Sequence, residues 1–155
     1  MDSKYHMTGF LKKYALFLLV VGAVGFIDAS FLAVEYLLGK VPPCTLVQGC
    51  DVVTRSQYAT IFGIPISVLG ALYYLCFVIA AVWYLDKKNT QPLMVMAKLS
   101  VFGFLFSMYL VGLQLFVLKA ICVYCMYSAT TSTALFIGSM VFLKKSQITV
   151  AAHSD

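Results

Sequence analysis

Four cysteines set the chemistry this chain could do. Cys122-Val123-Tyr124-Cys125 is a C-x-x-C that opens the last long apolar run, and Cys44 and Cys50 stand as a C-x5-C in the longest loop. Two thiols three residues apart can close into a disulfide across one helical turn. At a helix start, the unpaired N–H groups and the positive end of the dipole favour a thiolate, the form that attacks disulfides or binds metal. A C-x-x-C alone is also compatible with inert packing, since free cysteine buries readily. A second pair on the same face favours redox exchange over packing. The competing metal reading puts four thiolates around zinc in a closed structural site. It needs all four cysteines reduced, and no histidine lies near them, because His6 and His153 sit in the terminal arms. No metal is therefore expected. Cys76, in the middle of an apolar run, reads as a small buried hydrophobe.

The elements that must position these thiols are membrane spans. Of 155 residues, 62% are hydrophobic and 11% charged, against about 25% charged in a soluble domain. The net charge of +5 does not indicate nucleic-acid binding, because the lysines lie between apolar runs and form no basic patch. Four runs are each long enough for the ~20 residues a crossing needs: 14–38, 64–85, 93–118 and 121–143. The fold class expected is an all-α membrane protein, a single four-helix transmembrane domain over residues 14–145. Residues 1–13 form a short polar arm, 39–63 the one long outer loop, and 146–155 a polar, disordered tail. The first run is too long for a signal-peptide core and reads as an anchor that is retained. Pro65 is placed in the first turn of the second span, where a missing N–H costs least.

Orientation follows from the basic residues. Lys4, Lys12, Lys13, Lys87, Lys88, Lys98, Lys144 and Lys145 fall on one side, Lys40, Arg55 and Lys119 on the other. Eight against three puts both termini in the cytoplasm of a plasma-membrane protein. Both cysteine pairs then face outward, toward the oxidising compartment. Two acids interrupt the first span, Asp28 and Glu35, seven residues apart and so on one helix face. Glu35 reads as reaching the interface. Asp28 lies deeper and needs a partner, with Ser107 or Gln114 as candidates. Asp51, next to Cys50, either tunes the loop thiol or makes a turn.

Four spans, a loop cysteine pair after the first and a C-x-x-C opening the fourth resemble the vitamin K epoxide reductase family. Gly49-Cys50-Asp51-Val52-Val53 through Ser56-Gln57-Tyr58-Ala59, then Phe62-Gly63-Ile64-Pro65 and Gly70-Ala71-Leu72-Tyr73-Tyr74, are similar to its microbial members. The likeness covers about residues 10–145. The DsbB type also has four spans and two pairs, but carries its C-x-x-C in the first outer loop. The resemblance implies a bundle holding a quinone (ubiquinone, menaquinone or vitamin K type) near Cys125. It also implies a short loop helix over the bundle mouth, with Ser56 in it. Cys44 would pair with Cys50 and face the outside substrate, and Cys50 would exchange with Cys122. Ile66 stands where the animal enzymes place a quinone-binding Asn, and Ala129 where they place a Tyr, so animal-type epoxide reduction and anticoagulant binding are not implied. Without the thioredoxin-like domain fused to many microbial members, the partner expected is a separate DsbA-type protein.

These readings imply a membrane enzyme that passes electrons from extracytoplasmic protein thiols through Cys44/Cys50 and Cys122/Cys125 to a quinone, generating disulfides. The alternatives are a reductase that recycles quinone or vitamin K with the same relay, and a non-enzymatic four-span scaffold with structural disulfides or zinc.

Overall fold

The structure is a computed structural model and describes residues 2–40 and 49–151. Helix α1 runs Asp2–Leu37, α3 Ile66–Lys87, α4 Gln91–Gly112 and α5 Val123–Ala151. A π-helical turn, Leu113–Leu118, extends α4. Each of these four contains a segment long and apolar enough to cross a membrane: Gly9–Leu37, Ile66–Lys87, Gln91–Leu118 and Val123–Ser146. α1 packs on α3 and α5, and α4 packs on the same two helices, so the four close into a bundle.

The ends of the helices follow local chemistry. The chain leaves α3 through Lys88 in the left-handed region at φ 56°, its N–H bonded to the Tyr84 carbonyl. Pro92 falls in the first turn of α4, where no N–H is required. Two boundaries differ from the sequence expectation. α1 begins at Asp2, so the basic arm is already helical. α5 continues through Ala151, because Ser146 to Ala151 contains neither Gly nor Pro to stop it. The tail is therefore helical to Ala151 and not disordered there.

The loop between α1 and α3 is structured where it is described. A one-turn helix α2, Cys50–Thr54, is followed by a 3-10 turn, Gln57–Ala59. Two-residue strands β1 (Thr60–Ile61) and β2 (Ile64–Pro65) then pair antiparallel. Phe62 at φ 51° and Gly63 at φ 80° make the turn between them, as a two-residue hairpin requires. Pro65 thus precedes α3 and ends a strand, where the sequence reading had placed it inside the helix. Arg55 Nη2 reaches the Gly39 carbonyl at 3.5 Å and ties this cap back to the end of α1.

Candidate active site

Cys122 is held by the way α4 ends. The π-helical turn closes with Lys119 in the left-handed region at φ 50°, and the Ala120 N–H bonds the Gln114 carbonyl at 3.1 Å. This reverses the chain sharply and delivers Cys122 to the position just before α5. The Gln114 side chain is buried, and its Oε1 accepts the Cys122 N–H at 2.9 Å. The Cys122 carbonyl accepts the Met126 N–H at 3.0 Å, and the Cys125 N–H donates to Cys122 Sγ at 3.4 Å. A cysteine sulfur thus does what a Ser or Asp oxygen does at a helix N-cap. The adjoining Cys125 thiol donates to it as well. Together with the Cys125 and Tyr124 N–H groups, it holds the Cys122 thiol below its ordinary pKa, against the opposing effect of burial. Cys122 and Cys125 are both free thiols.

The loop presses onto the same segment. A Cβ added at Gly49 would stand 2.9 Å from the Ile121 carbonyl oxygen and 3.0 Å from the Ile121 nitrogen. Only glycine permits this approach of backbone to backbone. The next residue, Cys50, is 1% exposed and disulfide-bonded, and Cys122 is 0% exposed. Two cysteines of different pairs are thus buried at the two sides of one backbone contact. Cys44 lies outside the described residues. Cys76 is exposed on the outside of the bundle, where lipid would cover it. Its helix turns Tyr74 and Phe77 inward and leaves Cys76 on the opposite face, so the expectation of a buried Cys76 is corrected.

Beneath the loop cap is a cavity of about 400 Å³, within the size range of small-molecule sites. Cys125 lines it, and so do Ser56, Ile66 and Ala129. The Ser56 hydroxyl donates to the Val53 carbonyl at 2.8 Å. Sequence reasoning missed three contributors: Tyr73, Ser132 and the Gln114 bond to Cys122. Gln114 did carry a signal, as a lone amide deep in an apolar run. The partner suggested for Asp28 is also corrected. Gln114 Oε1 takes the Cys122 N–H, and Asp28 Oδ2 is buried with no hydrogen-bond partner among the described residues.

The model of the vitamin K epoxide reductase family matches residues 16–140, most of the chain and both described members of the C-x-x-C. The chain belongs to the vitamin K epoxide reductase family. It is accordingly a membrane oxidoreductase with a transmembrane helical bundle. Comparison of the chain with individual curated proteins found no match. Members of the family act on quinones and thiols, and the cavity suits a quinone headgroup. Its wall is largely apolar, as a flat ring requires. It also contains polar atoms with nothing to bond, as two carbonyl oxygens require.

Proposed function

We propose that this protein reduces a membrane quinone with electrons from extracytoplasmic protein thiols and so generates disulfides. The supporting observation is the seating of Gly49-Cys50 on Ile121-Cys122, with Cys125 on the cavity wall below. The partner is a separate thioredoxin-like protein, both termini are cytoplasmic, and the mouth of the bundle faces outside, in keeping with the lysine distribution.

Each exchange balances. A partner thiolate attacks the Cys44–Cys50 disulfide. Its second thiol resolves the mixed disulfide, leaving Cys44 and Cys50 reduced. Cys50 then attacks Cys122 of an oxidised Cys122–Cys125 pair. Cys44 displaces Cys122 and restores the loop disulfide. The C-x-x-C now holds two electrons and two thiol protons. A bound quinone supplies the two-electron acceptor. Cys122 is the exchange thiol because it directly follows Ile121, the residue that the loop backbone at Gly49 touches, and its sulfur is held toward the thiolate by the Cys125 thiol and N–H. Cys125 is the thiol that meets the quinone, being the one that lines the cavity. Ser56, Ile66 and Ala129 shape the pocket around it. Direction follows potential, since ~30 mV corresponds to ~1.4 kcal/mol for two electrons.

Cys125→Ser tests the relay. Cys122 then has no resolving partner, so a Cys50–Cys122 disulfide should accumulate and appear on a non-reducing gel. A folded Cys125→Ser protein without that species would reject the relay order. Cys44→Ala should slow turnover with a folded protein thiol far more than with a small dithiol, which can reach Cys122–Cys125 directly. Equal losses would make the loop pair structural.

A further inference from the structure

Among the described residues, three buried side-chain oxygens have no hydrogen-bond partner: Asp28 Oδ2, Tyr73 OH and Ser132 Oγ. All three side chains line the same cavity as Cys125. Tyr73 and Ser132 are near enough to influence each other, yet neither makes a hydrogen bond of sound geometry. A buried polar atom without a partner is costly, and such atoms rarely gather by accident. Three around one cavity mark the place of a ligand with polar atoms of its own.

Asp28 differs in kind from the other two. Among the described residues no Lys, Arg or His lines the cavity, so none of them gives its carboxyl a counter-charge there. An acid inside a membrane span without a partner is retained for something other than stability. Among the described residues the titratable groups on the wall are Asp28, Tyr36, Tyr58, Tyr73, Tyr74 and Cys125. Phenols and thiols ordinarily hold their protons at neutral pH, which leaves the carboxyl as the group able to take one and give it back. It shares the wall of this one cavity with Cys125, a member of the dithiol.

We propose that Asp28 is a catalytic proton-exchanging residue, with Tyr73 and Ser132 holding the quinone oxygens. This rests on the quinone-dependent reading above. Closing the Cys122–Cys125 disulfide releases two electrons and two protons, and both pairs must reach the quinone to give hydroquinone. Asp28 Oδ2 receives the Cys125 thiol proton and passes it to one quinone oxygen. It then carries the Cys122 proton to the other oxygen in the same way. The carboxyl ends as it began, so the S–S bond formed and the two O–H bonds made account for every proton and electron.

The test uses the full chain in lipid nanodiscs with menadione and a short-chain ubiquinone as probes. Turnover with dithiothreitol is measured beside the infrared difference spectrum on adding quinone to reduced protein. Asp28→Asn should lower kcat by on the order of a hundredfold, with the quinone KM within about threefold. It should also remove a carboxyl band present in the wild-type spectrum. Asp28→Glu should restore part of the turnover and shift that band. Asp28→Asn turnover within about twofold of wild type would overturn the proposal. So would a wild-type spectrum with no carboxyl band. Should Asp28→Asn fail to fold, the Glu variant decides: a band that moves supports the assignment, and one that stays put overturns it. The underlying reading fails separately, if Cys125→Ser reduces quinone as fast as wild type. With Cys125→Ser inactive and Asp28→Asn unimpaired, only the role of Asp28 falls.

Discussion

At the end of the bundle away from the cysteines, Ala15, Leu18, Ala81, Leu93, Ala97 and Leu135 are completely buried. Tyr14 stacks on Phe142 with ring centres 4.5 Å apart, and its hydroxyl meets Ser139 at 2.9 Å. At the cysteine end the same four helices surround a cavity of about 400 Å³ whose wall holds, among the described residues, three unsatisfied oxygens. The backbone there is irregular as well, with a π-helical turn and left-handed Lys119 and Phe62. One end spends its sequence on close packing, the other on placing reactive groups around a space. Substitutions should therefore divide by end: packing changes cost stability and spare turnover, and site changes do the reverse.

The largest effect belongs to the cysteine end. Cys125→Ser should abolish quinone reduction, a loss on the order of a thousandfold or more. The folded fraction should be unchanged, since the hydroxyl fits the same space. An active serine variant would remove the site reading altogether. Next comes Leu135→Ala at the packed end. It leaves a hole among Leu18, Leu93 and their neighbours, and should cost about 2 kcal/mol or more. Turnover per folded molecule should stay within about twofold of wild type. A turnover collapse with stability intact would mean the two ends are coupled. Gly49→Val should follow. Its side chain meets backbone at Ile121, which cannot turn aside as a side chain can. A shift of ~1 Å between Cys50 and Cys122 is enough to slow exchange by about a hundredfold. The Cys50–Cys122 disulfide trapped in Cys125→Ser should weaken in parallel, while turnover with a small dithiol is spared.

The spans were legible because apolar length is a strong signal, and the thiol chemistry because a C-x5-C in the long loop and a C-x-x-C opening the fourth run make two pairs. The cavity was not. Tyr73 and Ser132 look like ordinary residues of apolar runs, and only the closing of the four helices into a bundle brings them to one cavity. Gln114 stands out in the sequence as a lone amide, but the π-helical turn that aims it at Cys122 and not at Asp28 has no sequence signature. The hairpin at Phe62-Gly63 is silent in the sequence for a similar reason: two-residue strands are too short to show alternation. Residue type alone puts Cys76 inside, because cysteine usually buries; its helix face puts it outside.

The smallest effects make the sharpest test, because one atom changes at each end. Tyr14→Phe and Tyr73→Phe each remove a buried hydroxyl from a stacked or tilted ring that stays in place. The Tyr14 hydroxyl is bonded to Ser139 across two helices. Its loss should cost about 0.6 kcal/mol, the usual value of an interhelical hydrogen bond in a membrane, with turnover unchanged. The Tyr73 hydroxyl has no such bond. Removing it takes away a desolvated group that nothing offsets, so stability should hold or rise slightly. The quinone oxygen it would hold loses that contact, and the quinone KM should rise by about two- to tenfold. Denaturant titration and quinone-dependent kinetics on both variants check the pair. If Tyr73→Phe lost stability and kept its KM, the hydroxyl would be a packing group, and the contrast between the two ends would not extend to this wall of the cavity.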